Sequence, residues 1–227
     1  MFNNERLKLG KNNNLIFDNV DFAWPNKNEF VLKKCSFALS EPGLWMLVGK
    51  NGCGKSTLMK LIKGILKPIN GSIRRPSNLA LVFQNPDHQI LMPTCGSELI
   101  LNIKGIFNSE MIHKKVNECL VSVGLEDFFK RPIHTLSGGQ KQRLAVASAL
   151  ISDSNFILMD EPTALLDQVN RRKILEIVKS LIKNRNNPLT ILWITHRLDE
   201  LVYADKVSVM AKGQLSPWQD PKNFKYI

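Results

Sequence analysis

Gly49-Lys50-Asn51-Gly52-Cys53-Gly54-Lys55-Ser56-Thr57 decides how the rest of this 227-residue chain is read. The run fits G-x-x-x-x-G-K-[ST], a loop that wraps the phosphates of a nucleotide. Its flanks agree. Leu44-Trp45-Met46-Leu47-Val48 before it is apolar throughout and predicts a buried strand, and Leu58-Met59-Lys60-Leu61-Ile62-Lys63 after it is amphipathic and predicts a helix. Glycines at 49, 52 and 54 let the backbone take shapes that a side chain forbids. The loop N–H groups then turn inward to the phosphates, helped by the positive end of the helix dipole. Lys55 supplies charge to the β- and γ-phosphates, and the Ser56 hydroxyl is placed to ligate Mg²⁺.

Composition suits one domain, with room for a smaller subdomain. Hydrophobic residues make up 44% of the chain, enough for a full core. No apolar run reaches about 18 residues, and Met1-Phe2-Asn3-Asn4-Glu5-Arg6 lacks a signal pattern, so a cytoplasmic protein is expected. Cys35, Cys53, Cys95 and Cys119 form no C-x-x-C pair, so neither a zinc site nor a disulfide framework is predicted. Cys53 fills a small-residue slot in the loop. The formal net charge of +11 is spread along the chain without a dense block, which favours a solvated surface with some attraction to anionic membranes. No nucleic-acid partner is expected.

Outward from the loop, residues 1–14 are polar and predict a loose start. Leu15–Phe22 and Val31–Leu39 predict strands, with a turn at Trp24–Asn28. Ile69–Ile73 and Leu79–Phe83 predict strands joined by a turn. Ser97–Lys104, Ser109–Val123, Glu126–Lys130 and Gly138–Ile151 predict helices. Phe156–Asp160 and Leu189–Ile194 predict buried strands. Gln168–Asn184 predicts a helix whose stripe is Ile174, Ile177, Val178, Leu181 and Ile182. Arg197–Tyr203 predicts a short helix and Lys206–Met210 a strand, with an ill-defined tail after Gly213.

Two further runs carry chemistry. Asp160-Glu161-Pro162 ends an apolar strand, where an acid can hold Mg²⁺ opposite Ser56; Glu161 suits the general base or positioner of the attacking water. Pro162 is expected to keep Glu161 extended. Leu136-Ser137-Gly138-Gly139-Gln140 begins a helix, and Ser137 with Gln140 forms a capping box. Its two glycines also bare N–H groups at a helix start, an anion site.

Gly49–Thr57, Leu136–Gln140, Phe156–Pro162 and His196 together resemble the ATP-binding subunit of an ABC transporter, over nearly the whole chain. The resemblance implies an α/β fold: a P-loop NTPase core with a mostly parallel sheet, an N-terminal antiparallel β subdomain and an inserted helical subdomain. Within the single domain 1–227, about 15–95 and 154–227 would form the core with its β subdomain, and about 96–153 the helical part. ATP and Mg²⁺ are the implied ligands. In the family two subunits face head to tail, so Ser137, Gly138, Gly139 and Gln140 of one would touch the nucleotide held by Gly49–Thr57 of the other. Asp167 resembles the acid that bridges the two, and Trp24 the aromatic that stacks on adenine. Gln84 resembles the glutamine that senses Mg²⁺ and water, and His196 the histidine that contacts the γ-phosphate. Glu161, His196, Gln84 and Lys55 are the implied catalytic set; Ser56, Gln84 and Asp160 are the implied metal set.

Gln84-Asn85-Pro86-Asp87-His88-Gln89-Ile90 resembles the loop of the energy-coupling-factor and cobalt-transport group, which imports vitamins and metal ions such as cobalt or nickel. The segment Thr94–Leu101 departs from that group's acidic pattern. An integral membrane transport subunit is the implied partner, beside a second ATPase subunit, identical or not. The resemblance thus implies a place at the cytoplasmic face of a membrane. The alternative is a soluble ABC ATPase in iron–sulfur assembly or associated with nucleic acid. Sustained heptads of the DNA-repair relatives are missing, and one such domain is present where translation factors carry two.

Overall fold

A computed structural model describes residues 15–27, 29–184 and 188–224, so the expected loose start at 1–14 lies outside the described residues. In chain order the strands and helices are β1 (Leu15–Ala23), β2 (Phe30–Leu39), β3 (Gly43–Val48), α1 (Lys55–Ile62), β4 (Asn70–Arg74), β5 (Leu79–Val82), α2 (Cys95–Leu101), α3 (Ser109–Ser122), α4 (Gly138–Ile151), β6 (Phe156–Asp160), α5 (Gln168–Asn184), β7 (Thr190–Thr195), β8 (Lys206–Ala211) and β9 (Gln214–Leu215).

They build two sheets. One is antiparallel, in the order β2-β1-β4. The other runs β5-β6-β7-β3-β8-β9 and is parallel except for the β8–β9 pair. β3, β7 and all of β6 but Asp160 are buried residue after residue, as a parallel sheet covered on both faces requires. Alternate residues feed different cores. Leu44, Met46 and Val48 join Val116, Leu120, Leu144 and Val178 of the helices. Trp45 and Leu47 join α1 and the antiparallel sheet through Leu58, Phe17 and Leu32.

The architecture is the expected α/β one, with four local differences. Glu126–Lys130 forms turns, not a helix; five residues offer too few turns for helical bonds to offset the cost of starting one. The helix expected from Ser97 begins at Cys95, because Thr94 caps it with Ser97 in a capping box. The strands β4 and β5 form as expected with a turn between them, but in different sheets, β4 beside β1 and β5 beside β6. The tail, expected to be ill-defined, has defined contacts among its described residues. Trp218 packs edge-on against Trp45 with centroids 5.0 Å apart, and Gln219 exchanges backbone bonds with Val207.

Register decides where chemistry collects. Val82 faces Met159, Asp160 faces Ile194 and Val48 faces Thr195 on neighbouring parallel strands. The carboxyl ends of β5, β6, β7 and β3 therefore lie level and adjacent. Ligands of open parallel sheets bind along that edge.

Candidate functional site

Gln84 follows β5, Asp160 ends β6, His196 follows β7 and Gly49 follows β3, so the sheet order alone brings them to one edge. A hollow of about 490 Å³ opens there, lined by Trp24, Val31, Asn51, Gly52, Gly54, Lys55, Ser56, Thr57, Gln84, Asp160 and Glu161. A larger hollow of about 710 Å³ between Leu198, Leu201, Val202 and Phe224 is mainly apolar and lies away from the phosphate loop. The smaller one gathers candidate residues.

The loop's glycines serve different ends. Gly54 caps α1 with φ 112°, a left-handed value that a side chain resists. Gly49 instead answers a lack of space: a Cβ there would lie 2.7 Å from both Cys53 Sγ and the Met210 carbonyl oxygen. Lys55 is buried, and its ammonium donates to the carbonyls of Gly49 (2.7 Å) and Lys50 (3.1 Å). Those bonds hold the charge over the loop's mouth. Gly49 and Lys50 stay out of the lining; Cys53 lines a neighbouring hollow with Trp24, Lys27, Lys33 and Lys212.

Trp24 is half-buried, edge-on to Phe22 (5.4 Å), with Lys60 Nζ 5.1 Å from its ring centroid. Lys60 and Lys63 were not singled out from the sequence, although their spacing of three puts both on one helix face. Lys63 acts on Asp160 through its charge.

Asp160 is pushed above the usual carboxylate range, first by burial and then by the neighbouring Glu161 charge, with Lys63 and Lys55 pulling back. Two adjacent acids, one of them desolvated, call for a cation. The Ser56 hydroxyl, Asp160 carboxylate and Gln84 amide are hard oxygen donors on the same hollow. They fit Mg²⁺, which takes one or two carboxylates and shares the rest with phosphate and water. A stability consequence follows. A raised folded-state pKa means that stability is lost as pH rises from 3.8 through that pKa, so at neutral pH the buried charge is a full cost. Asp160→Asn should therefore raise the melting temperature of the empty protein at pH 7, with the gain shrinking as pH falls toward 3.8, while Mg²⁺-dependent turnover is lost. Thermal melts across pH, read beside ATPase rates, check both halves.

Glu161 departs from expectation. It is not extended before Pro162 but left-handed, with φ 42°. A tertiary bond and a turn bond override the local preference: the Glu161 N–H donates to the Ile194 carbonyl (2.8 Å), and within the turn the Ala164 N–H donates to the Glu161 carbonyl (3.0 Å). This aims the side chain at His196, whose Nδ1 lies 3.0 Å from Glu161 Oε2.

Gln84 is exposed, but its backbone anchor is not loose. The Phe83 N–H donates to Gln89 Oε1 and the Phe83 carbonyl accepts from Gln142 Nε2, both at 3.2 Å. Lys141 pairs with Asp87 at 2.7 Å. The helix α4 that begins at the double glycine is thus tied to the Gln84 loop. Gln142 is buried and was not singled out; nothing in its spacing marks it.

Ser137, Gly138, Gly139, Gln140 and Asp167 line no part of the hollow. Ser137 and Gln140 make the capping box, Gln140 N–H to Ser137 Oγ (3.3 Å) and Ser137 N–H to Gln140 Oε1 (2.9 Å). Gly139 is buried, and a Cβ there would lie 2.5 Å from Asn170 Oδ1; at exposed Gly138 a Cβ would meet nothing within 4 Å. Asp167 caps α5 by accepting from the Asn170 N–H (2.9 Å) and side-chain amide (2.7 Å), which hold its carboxyl below the usual range.

The sequence model of a family described as ABC transporter matches residues 32–164. The chain is 42% identical to ABC transporter I family member 10 of Arabidopsis thaliana, over 82% of this chain and 69% of that one. It is 37% identical to the energy-coupling factor transporter ATP-binding protein EcfA1 of Geobacillus kaustophilus, over 92% of this chain and 80% of that one. Among solved structures it resembles cbiO1 from Clostridium perfringens, described as part of the ABC transporter complex cbiONQ. There the TM-score is 0.84 at 28% identity, over 92% of this chain and 88% of that chain.

Proposed function

The chain belongs to the ABC transporter family and is an ATPase, and we propose that it is the motor subunit of an energy-coupling-factor importer for a vitamin or a transition-metal ion such as cobalt or nickel. The observation that carries the enzymatic part is the 3.0 Å contact of Glu161 with His196 beside a hollow that also holds Lys55, Ser56 and Asp160. The likeness to EcfA1 and cbiO1, with the Gln84–Ile90 loop, supports the transport class.

ATP enters with its phosphates over Gly49–Thr57 and its base against Trp24, whose ring offers a π-face. Lys55 leaves the carbonyls of Gly49 and Lys50 for the β- and γ-phosphate oxygens. Ser56, Asp160 and Gln84 would hold Mg²⁺, which would supply charge neutralisation at the phosphate oxygens. Glu161 orients the attacking water and accepts its proton, and His196 keeps Glu161 in place and reaches the γ-phosphate. The chemistry is positioning plus charge stabilisation, as phosphoryl transfer demands.

The site is completed by a second ATPase subunit. Nothing among the described residues explains glycine at 138, where a Cβ would touch nothing and a helix loses stability for having it. A phosphate arriving from a partner's loop does explain it, together with the open Ser137. The two glycines should therefore behave differently. Gly138→Ala should leave the melting temperature unchanged or higher but cut ATPase activity and ATP-driven dimerisation. Gly139→Ala should lower the melting temperature, because its methyl strikes Asn170. Melting curves and light scattering with ATP separate the two.

The transport reading places the subunit on the cytoplasmic face of a membrane, docked to an integral partner beside the Gln84 loop. Affinity purification from solubilised membranes tests it. An integral subunit and a bound vitamin or metal ion are expected; recovery from the soluble fraction alone would defeat it.

A further inference from the structure

Glu200 is 0% exposed. Its Oε1 accepts from the Thr163 hydroxyl, and its Oε2 accepts from the Trp193 indole N–H at 3.0 Å. Among the described residues no cationic side chain pairs with it. Burying a carboxylate without a cation is expensive, and an apolar side chain would fill the same space better. A packing role alone does not account for it.

Its two partners have a telling placement. Thr163 lies two residues after Glu161, and Trp193 lies three residues before His196. One carboxylate thus joins the turn that carries the water-positioning acid to the strand that carries its histidine. The turn under Glu161 is strained, with φ 42°, and such strain persists only where surroundings over-determine it. The segment bearing Glu200 does not need the carboxylate to dock. Arg171 pairs with Asp199 (3.0 Å), and Lys179 reaches the Tyr203 carbonyl (2.8 Å) and Asp205 (2.6 Å), fastening it to α5.

We propose that Glu200, through Thr163 and Trp193, is a positioning residue that sets the separation of Glu161 and His196. It touches neither nucleotide nor water. The inference rests on the reading that this pair acts on ATP.

The test is steady-state hydrolysis by the full chain, normalised to nucleotide-binding sites, with ATP affinity measured separately. Thr163→Val should lower kcat roughly 10- to 100-fold, the scale of a small misplacement of a reacting group. ATP affinity should stay unchanged, and Thr163→Ser, which keeps the hydroxyl, should restore kcat. In a His196→Ala background Thr163→Val should cost nothing more, because the pair it aligns is gone. If Thr163→Val does not fold, Trp193→Phe removes the other bond and carries the same expectations. An undiminished kcat per site, a serine variant as slow as the valine one, or an equal further loss without His196 would each overturn the tether. Full activity of His196→Ala alone would instead overturn the reading of the pair, and the tether with it.

Discussion

Glu161→Gln should bind ATP as the unaltered protein does and turn it over about 10²–10⁴ times more slowly, the loss expected for a missing general base. The substitution keeps shape and bulk, so the backbone at φ 42° and the bond from the Glu161 N–H to the Ile194 carbonyl survive. What changes is the side chain's ability to take a proton and to pair with His196 Nδ1 at 3.0 Å. Binding in the proposed mechanism uses other groups, Lys55, Ser56 and the loop N–H groups. Nucleotide should therefore accumulate unhydrolysed, and with it the closed dimer. Gel filtration with ATP and Mg²⁺ would show a stable dimer where the unaltered protein shows exchange. Single-turnover kinetics would place the loss in the chemical step, and an unchanged single-turnover rate would remove Glu161 from the mechanism.

Lys55→Ala should act earlier, on binding itself. A charge-assisted hydrogen bond is worth roughly 1.5–3 kcal/mol, and the ammonium reaches two phosphates, so affinity should fall about 10²- to 10⁴-fold. The ammonium is already desolvated in the empty protein, where Gly49 and Lys50 carbonyls accept from it. In the proposed mechanism it would exchange two protein acceptors for two phosphate oxygens and give up little water. This pre-payment makes the lysine effective, and it also means that arginine should not substitute: its planar fork suits neither arrangement. Calorimetric titration of ATP separates this defect from the catalytic one of Glu161→Gln, since only the lysine variant should lose binding heat.

Much of this was legible along the chain because the informative features are local. A glycine loop between an apolar run and an amphipathic one can be read from adjacent residues, and so can the acids that end β6 or a capping box at Ser137. The signature run and the phosphate loop carry enough glycine in fixed spacing to point to anion binding before any coordinate is known. The misreadings have local causes too. Leu79–Phe83 is apolar throughout and Ile69–Ile73 is apolar only at its ends, and nothing in either run says which sheet it joins. Pro162 favours an extended Glu161, and that preference is real; it loses to a turn held by a bond to Ile194 of β7, more than thirty residues away.

The residues themselves determined that this chain binds and splits a nucleotide triphosphate, because phosphate recognition needs particular backbone freedom and particular charges in consecutive positions. Only the tertiary structure decided which residues act together. Strand order β5-β6-β7-β3 set Gln84, Asp160, His196 and Gly49 along one edge. Burial made Glu200 a link between the turn after β6 and strand β7 instead of a surface acid. Parallel pairing joins segments far apart in sequence, and desolvation depends on everything that surrounds a group; neither is written in any short stretch of the chain.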